Sequence, residues 1–369
     1  MTTLLAHPAA SPAAAAPGHP AAAAPGHPAA AAPGHPAAGI PRGVTPNWFA
    51  AVMGTGIVAI SAAGLPIQPP GLRTAAQLVW AAAAILLVAL GVASAWQWKA
   101  SAAHRADPVM MQFYGAPPMA LMTVGGGTLL LGSDWIGLRA AVAIDLVLWT
   151  VGTIAGLATA VAIPYRMITR PEKSAAFGGW LMPVVPPMVS AANGALLIPH
   201  VPELRTLCLA MFGASLIAAL LMIAHLWGHL LTQAPTPARL IPTLWIVLGP
   251  LGQSITAMNL LDPAAATKFG LPVWGFAMFW LVLVSALTLR ERIPFGLPWW
   301  SFTFPVGTLV TGTTGLAART GDPVLTAAAV GLFLLLATAW GTVSVLTGRY
   351  AWREHQPVAV DDLAAERHQ

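Results

Sequence analysis

The sequence predicts an all-α integral membrane protein, because its composition is strongly apolar and its apolar residues are gathered into separate segments. Hydrophobic residues make up 57% of the chain and charged residues only 8%, and the mean hydropathy is +0.72. Soluble domains carry about 25% charged residues, so this composition excludes them. A segment of roughly 20 apolar residues is long enough to cross a hydrocarbon core of about 30 Å.

Ten such segments are predicted as transmembrane helices. They lie near residues 47–64, 74–97, 109–131, 138–163, 178–198, 203–230, 240–261, 270–289, 298–317 and 323–347. A ten-helix transmembrane domain therefore covers residues 44–349, and residues 350–369 are predicted to form a solvated cytoplasmic tail.

The odd-numbered segments carry paired Gly or Pro residues near mid-span, whereas the even-numbered segments are predicted to be smooth helices. The interruptions are Gly54 with Gly56, Pro117-Pro118 with Gly125 to Gly127, Pro183 with Pro186-Pro187, Gly249-Pro250 with Gly252, and Pro305 with Gly307. Broken backbone in lipid is tolerated only where it faces protein or a water-filled cavity. The alternation predicts five bent helices around a central pore, wrapped by five smooth ones.

The bent segments present narrow faces of small, hydroxyl and amide residues, which we interpret as pore-lining. The predicted lining residues are Asn47, Gly54, Ser61, Pro118, Pro183, Pro187, Ser190, Gly194, Gly249, Gly252, Gln253, Thr256, Gly307, Thr308 and Thr311, with Asn193 and Asn259 beside them. Close helix packing is the alternative role for any one of these stripes. Because the faces carry no Lys or Arg, a permeating anion would be held weakly, by neutral donors and helix ends.

The orientation follows from the Lys and Arg residues of the connections. Twelve fall on the N-terminal side of the predicted membrane, and five, such as Arg73 and Arg319, fall on the other. The positive-inside rule then places both termini in the cytoplasm of a multi-pass protein of the inner (plasma) membrane. The same asymmetry explains the isoelectric point near 10.0 without invoking nucleic acid as a partner.

Asp145 is the only carboxylate well inside a predicted span. Acidic groups within a membrane are costly, so each one calls for a functional or structural explanation. Two roles are open for Asp145: proton coupling, or a polar bond that holds the fourth helix against a neighbour. Because the fourth helix is one of the smooth ones, the structural role is favoured.

His225 and His229 lie one helical turn apart in the sixth span. This spacing can place two imidazoles on one metal ion, but the intervening Glu of a metalloprotease is absent. We therefore predict no metal site and no cofactor. The single Cys208 excludes an internal disulfide and is predicted to be a small core residue. No phosphate-binding loop, nucleophile elbow or catalytic carboxylate pair is present, so an enzyme is not expected.

Residues 1–43 are dominated by Ala, Pro, Gly and His, with an octad repeat that brings His19, His27 and His35 eight residues apart. Three evenly spaced His residues are one pattern found in metal-binding tracts. However, Pro and Gly hold no fixed ligand geometry, so we predict a disordered cytoplasmic tail.

Four motifs resemble the tellurite-resistance/dicarboxylate transporter family, which includes malic acid permeases, sulfite efflux pumps and plant slow-type anion channels. The motifs are residues 45–56 (TPNWFAAVMGTG), 180–186 (WLMPVVP), 249–253 (GPLGQ) and 299–305 (WWSFTFP). The resemblance covers about residues 44–353, and its first and last motifs are fairly specific.

The resemblance implies five helical hairpins in pseudo-fivefold arrangement around the pore, and a homotrimer with one pore in each subunit. It also implies that an aromatic side chain of the ninth helix plugs the pore. This residue corresponds to Phe304, with Phe302 as the alternative register. The implied activity is passage of small anions such as malate, other C4-dicarboxylates, sulfite, nitrate or chloride. A membrane redox, haem or metal protein that uses His225 and His229 is the alternative class.

A topology reporter fused after Arg353 is expected to be active only in a cytoplasm-reading assay. The reason is the twelve-to-five distribution of Lys and Arg across the predicted membrane. A periplasm-reading reporter at the same position is the matched control and should stay silent. Activity of that control would reverse the predicted orientation.

Overall fold

The computed structural model describes residues 44–97, 102–170 and 175–354, and within them every regular element is helical. Ten main α-helices run through these residues. They are α1 (Phe49–Gly64), α2 (Leu72–Trp96), α3 (Ala116–Gly127), α4 (Leu138–Thr169), α5 (Pro186–Leu197), α6 (Leu204–Thr232), α7 (Leu248–Leu261), α8 (Ala266–Arg290), α9 (Phe304–Thr320) and α10 (Pro323–Glu354). The predicted N-terminal tail, with its octad repeat, and residues 355–369 lie outside the described residues.

The all-α membrane fold predicted from the sequence is confirmed. Seven helical segments of the described residues are long and apolar enough to cross a membrane as single helices. The other three segments contain α3, α5 and α9, whose α-helical parts have 12, 12 and 17 residues. Since a straight crossing needs about 20 residues, the count of ten spans remains a prediction.

Each odd-numbered α-helix follows a stretch of tighter 3-10 helix. These stretches are Pro46–Trp48, Met110–Gly115, Gly178–Leu181, Ala238–Val247 and Leu297–Phe302. Pro117, Pro186, Pro250 and Pro305 lie in the first turn of the α-helix that follows, where a missing backbone N–H breaks no helical hydrogen bond. At these prolines the predicted interruptions are transitions from 3-10 to α-helix. Gly54 and Gly56, in contrast, lie inside the continuous helix α1, and Gly125 to Gly127 end α3 just before a π-helical turn, Thr128–Gly132.

The even-numbered helices are continuous and have 25 to 32 residues. Pro164 in α4 and Pro272 in α8 lie inside these helices, each near one end. Both helices continue past their proline. Helices α4 and α10 also extend beyond the ends expected at 163 and 347, to Thr169 and Glu354.

The odd-numbered helices form a closed ring of five. Helix α1 packs against α3, α3 against α5, α5 against α7, α7 against α9, and α9 returns to α1. Each even-numbered helix packs against the odd-numbered helix before it, which makes five helical hairpins, and also against the next ring helix. This is the pseudo-fivefold arrangement that the family resemblance implies.

Burial separates the two layers. In their most apolar windows, 22–33% of the residues of the even-numbered helices are buried, against 72% for the segment Pro46–Gly64 and 89% for Ala238–Leu261. The outer helices expose large apolar side chains such as Ile85, Val161 and Leu221. The outer layer therefore suits contact with lipid, and it encloses the interrupted backbone of the ring.

Helices α7 and α9 approach each other at Gly252. A Cβ atom built on Gly252 would lie 2.5 Å from the carbonyl carbon of Thr308, and it would also overlap the backbone nitrogen of Leu309. The added Cβ atom would clash with backbone atoms of α9, so a change of side-chain rotamer does not relieve the clash. The glycine permits a helix contact of the small-residue type.

Gly252→Ala is expected to lower the free energy of unfolding by about 1–3 kcal/mol, because the added methyl group pushes α9 away from α7. The measurement is thermal or denaturant unfolding of the purified protein in detergent. Gly275→Ala in α8 is the matched control, since a methyl group there would meet no atom of the described residues within 4 Å. Equal stability of the two variants would contradict the close α7–α9 contact.

Candidate functional site

A large cavity of about 300 Å³ lies inside the ring, in the C-terminal half of the odd-numbered helices. All five ring segments contribute to its wall. Its polar lining residues are Ser61, Arg73, Thr123, Asn193, Gln253, Thr256, Asn259, Thr311 and Thr314. No acidic side chain lines it among the described residues.

A small cavity of about 30 Å³ lies in the N-terminal half of the ring. Its wall also draws on all five odd-numbered segments and is mainly apolar. The larger side chains are Met53, Phe113, Met119, Met182, Ile246 and Trp300. The two cavities thus follow each other along the axis of the ring.

Phe304 is the only one of the described residues that lines both cavities. It is the first residue of α9, and its side chain is buried, with 5% of the residue surface exposed. The Phe304 side chain therefore lies between the two cavities.

Phe302 occupies a different environment. Its ring makes edge contacts with Trp245, at a centroid distance of 5.1 Å, and with Trp299, at 5.6 Å. It lines neither cavity. The sequence left Phe304 and Phe302 as alternatives. Of the two, only Phe304 has its side chain at the axis of the ring.

The residues before Phe304 are fixed by close packing. The Thr303 hydroxyl donates to the Trp300 carbonyl at 2.7 Å, and the Trp300 indole N–H donates to Thr347 of α10 at 3.0 Å. Gly54 of α1 lies against this turn, because a Cβ atom there would overlap the Thr303 hydroxyl. Gly54 thus lets the start of α9 approach α1, which determines where Phe304 lies.

The structure brings five of the predicted site residues together on the wall of the large cavity: Ser61, Gln253, Thr256, Phe304 and Thr311. Gly249 lies on the wall of the small one. The remaining predicted lining residues are on neither wall. They are Asn47, Gly54, Pro118, Pro183, Pro187, Ser190, Gly194, Gly252, Gly307 and Thr308.

Several of these ten residues make contacts between helices instead. The Ser190 hydroxyl accepts from Thr153 of α4 at 3.0 Å. A Cβ atom on Gly194 would lie 2.6 Å from the Cys208 sulfur, and one on Gly307 would lie 2.5 Å from Ile57. Small residues at these positions allow close packing, which is the alternative role that the sequence left open.

Sequence reasoning missed Arg73, which it used only as a marker of orientation. The Arg73 side chain reaches the wall of the large cavity, where its guanidinium pairs with Asp134 at 2.7 Å. Gln77 donates to the same carboxylate at 2.8 Å. No pattern in the sequence distinguishes Arg73 from the other basic residues of the connections.

Asp145 of α4 is fully buried, and neither carboxyl oxygen has a hydrogen-bond partner in the part of the chain that the structure describes. The polar bond that we expected to hold α4 is therefore not observed. The carboxyl lies against Gly125 of α3, where a Cβ atom would overlap it. Asp145 lines neither cavity, so its observed contact is one of close packing between α3 and α4.

His225 is exposed on α6 and stacks on Trp180, with ring centroids 5.4 Å apart and planes 4° apart. His229 is half-buried. Within the described ranges, no group of three or more His, Cys, Asp or Glu side chains is placed to hold a metal ion. The redox or metal alternative therefore gains no support from this pair.

A profile of the voltage-dependent anion channel family matches residues 43–348. The chain belongs to this family. The match spans the whole ring and nearly all of the outer layer, so the multi-pass membrane fold and the anion-transporting class follow from it.

Three relatives illustrate the similarity. The chain is 26% identical to the sulfite efflux pump of Arthroderma otae over 342 residues, which cover 82% of this chain and 89% of the relative. It is 25% identical to the sulfite efflux pump of Trichophyton rubrum, with the same coverage. An uncharacterized transporter of Methanocaldococcus jannaschii is 27% identical over 84% of this chain and 93% of the relative.

Asp145→Asn is expected to keep anion flux and its pH dependence, because the carboxyl makes no hydrogen bond within the described residues and lines neither cavity. The free energy of unfolding should change by less than about 1 kcal/mol, the usual size of a polar contact in a membrane, because no such contact of Asp145 is lost. Flux into proteoliposomes at several pH values is the measurement, with Asp322→Asn at the exposed start of α10 as control. Loss of pH-dependent flux in a folded Asp145→Asn protein alone would assign proton coupling to Asp145.

Proposed function

We propose that small anions cross the membrane along the axis of the helix ring, and that Phe304 is the gate of this path. The observation that carries the proposal is the place of Phe304 on the walls of both axial cavities. A bulky ring across a narrow apolar constriction blocks ions by occupying space and by excluding water.

The chemistry of the large cavity supports an anion as the permeating species. Its wall offers amide and hydroxyl groups, and no carboxylate lines it among the described residues. The cation that this part of the chain places on the wall, Arg73, is already paired with Asp134. An anion would be attracted without being held by an unpaired charge, which allows it to leave again.

Sulfite is the first anion to test, because two of the relatives named above are sulfite efflux pumps. Malate and other C4-dicarboxylates, nitrate, chloride and tellurite-related oxyanions form the comparison set that the family resemblance supplies. The neutral wall favours anions of low charge, since a second uncompensated charge raises the desolvation cost steeply.

We further propose a homotrimer in the plasma (inner) membrane with both termini in the cytoplasm. The orientation is supported by the distribution of Lys and Arg, and the trimer rests on the family resemblance. Residues 1–43 and 350–369 would then be cytoplasmic tails on a transmembrane domain of residues 44–349.

Phe304→Ala is expected to raise anion flux strongly, because truncating the ring joins the two cavities. The measurement is anion current, or sulfite and chloride flux, in proteoliposomes that contain equal amounts of folded protein. Unchanged low flux in a folded Phe304→Ala protein would remove the gate assignment. A fall of about 3–5 kcal/mol in stability without any gain of flux would mark Phe304 as an ordinary core residue.

Phe302→Ala is the matched control for this experiment. It removes the same side chain two residues earlier, where the ring contacts Trp245 and Trp299 rather than the cavities. The control should lose stability and show no rise in flux. A rise equal to that of Phe304→Ala would mean that general loosening of the ring, and not the plug, controls passage.

A further inference from the structure

Most polar side chains on the wall of the large cavity already use their hydrogen-bond donors. The hydroxyl groups of Ser61, Thr123 and Thr311 donate to backbone carbonyl oxygens at 2.8–3.2 Å. The Thr256 hydroxyl lies within hydrogen-bond distance of the Gly252 carbonyl and of Thr311. These groups therefore offer a ligand few free protons.

Asn259 is engaged as well. One N–H of its amide donates to the Gly312 carbonyl at 3.3 Å, and its side-chain oxygen accepts from Arg319 at 2.9 Å. These two bonds fix the orientation of the amide and leave it one further N–H. The Thr314 hydroxyl has no partner among the described residues, but its oxygen atom is almost inaccessible to solvent.

Asn193 on α5 and Gln253 on α7 are different. Both line the large cavity, and they are only 7% and 5% exposed. Neither side-chain amide has a hydrogen-bond partner in residues 44–97, 102–170 and 175–354. The Asn193 oxygen faces Gly126 of α3, where a Cβ atom would lie 2.6 Å from it, which leaves the NH₂ end for a ligand.

We propose that Asn193 and Gln253 together form a binding site for a small oxyanion. The inference rests on the proposed anion path and adds to it the binding groups and the ligand class. Each side-chain amide carries two N–H donors, and α5 and α7 are neighbours in the ring. A small oxyanion has several acceptor oxygens, so it accepts from both helices at once.

A chloride ion has one acceptor centre and can contact only donors that converge on one point. The site therefore favours oxyanions over halides of the same charge. Because no unpaired cation lines the cavity among the described residues, these hydrogen bonds carry the recognition. Hydrogen bonds to an ionised group are shorter and stronger than those between neutral groups.

The test uses the Phe304→Ala protein as parent, so that flux is large enough to compare anions. Asn193→Leu and Gln253→Met are introduced singly, because each replaces an amide by an apolar side chain of similar size. Each should lower the sulfite-over-chloride flux ratio about tenfold, the effect of one lost hydrogen bond to a charged group. The dissociation constant for sulfite, measured on purified protein in detergent, should rise by a similar factor.

Gln112→Met is the matched control, because Gln112 is a fully buried amide that lines neither cavity. It should leave the flux ratio and the sulfite affinity unchanged. A wild-type ratio in a folded Asn193→Leu or Gln253→Met protein would overturn the site, as would equal losses for sulfite and chloride. If Asn193→Leu does not fold, the flux ratio and sulfite affinity of Gln253→Met, which lies on another helix, decide whether the site exists.

Failure of the proposed function has a different signature. A folded Phe304→Ala parent that passes neither sulfite nor chloride would overturn the anion path. The sulfite affinity in detergent needs no transport, so it still decides the binding site. Unchanged affinity in both amide variants would then overturn the site as well.

Discussion

The need to satisfy backbone hydrogen bonds away from water governs the arrangement of this protein. The five 3-10 stretches disturb the regular helical pattern, and all five precede ring helices. The even-numbered helices surround them as continuous helices of 25 to 32 residues. Because an interrupted helix is costly in lipid, the outer layer is what permits the inner one to be irregular.

The irregular inner layer in turn creates the site. Phe304 can point to the axis because α9 begins there, with Thr303 held by Trp300 and accommodated by Gly54. A straight, uninterrupted ninth helix would have no such starting point inside the membrane. The cavity in one half of the ring is almost wholly apolar, and the wall of the larger cavity in the other half carries the polar side chains.

On the wall of the large cavity, the protein itself uses most of the hydrogen-bond donors. Helix carbonyl oxygens take the protons of most of its hydroxyl groups, and Arg319 and Gly312 occupy Asn259. Although many polar side chains line this cavity, few of their donors are free to bind a ligand. In the proposed anion path, the ion would therefore be bound weakly, and the two amides without partners would have the largest influence on selectivity.

The sequence by itself determined the all-α membrane fold and the positions of the Pro and Gly interruptions, because hydropathy and Pro or Gly positions are local properties. Phe304 became a candidate through the family resemblance of its motif. The sequence left the choice between Phe304 and Phe302 open, and it could not separate cavity walls from helix contacts. Gly252, Gly307, Ser190 and Gly194 share the small-residue pattern of Ser61 and Thr311, yet they pack against neighbouring helices. Small residues serve both purposes equally well, so only the rotation of each helix within the ring decides which face meets the axis.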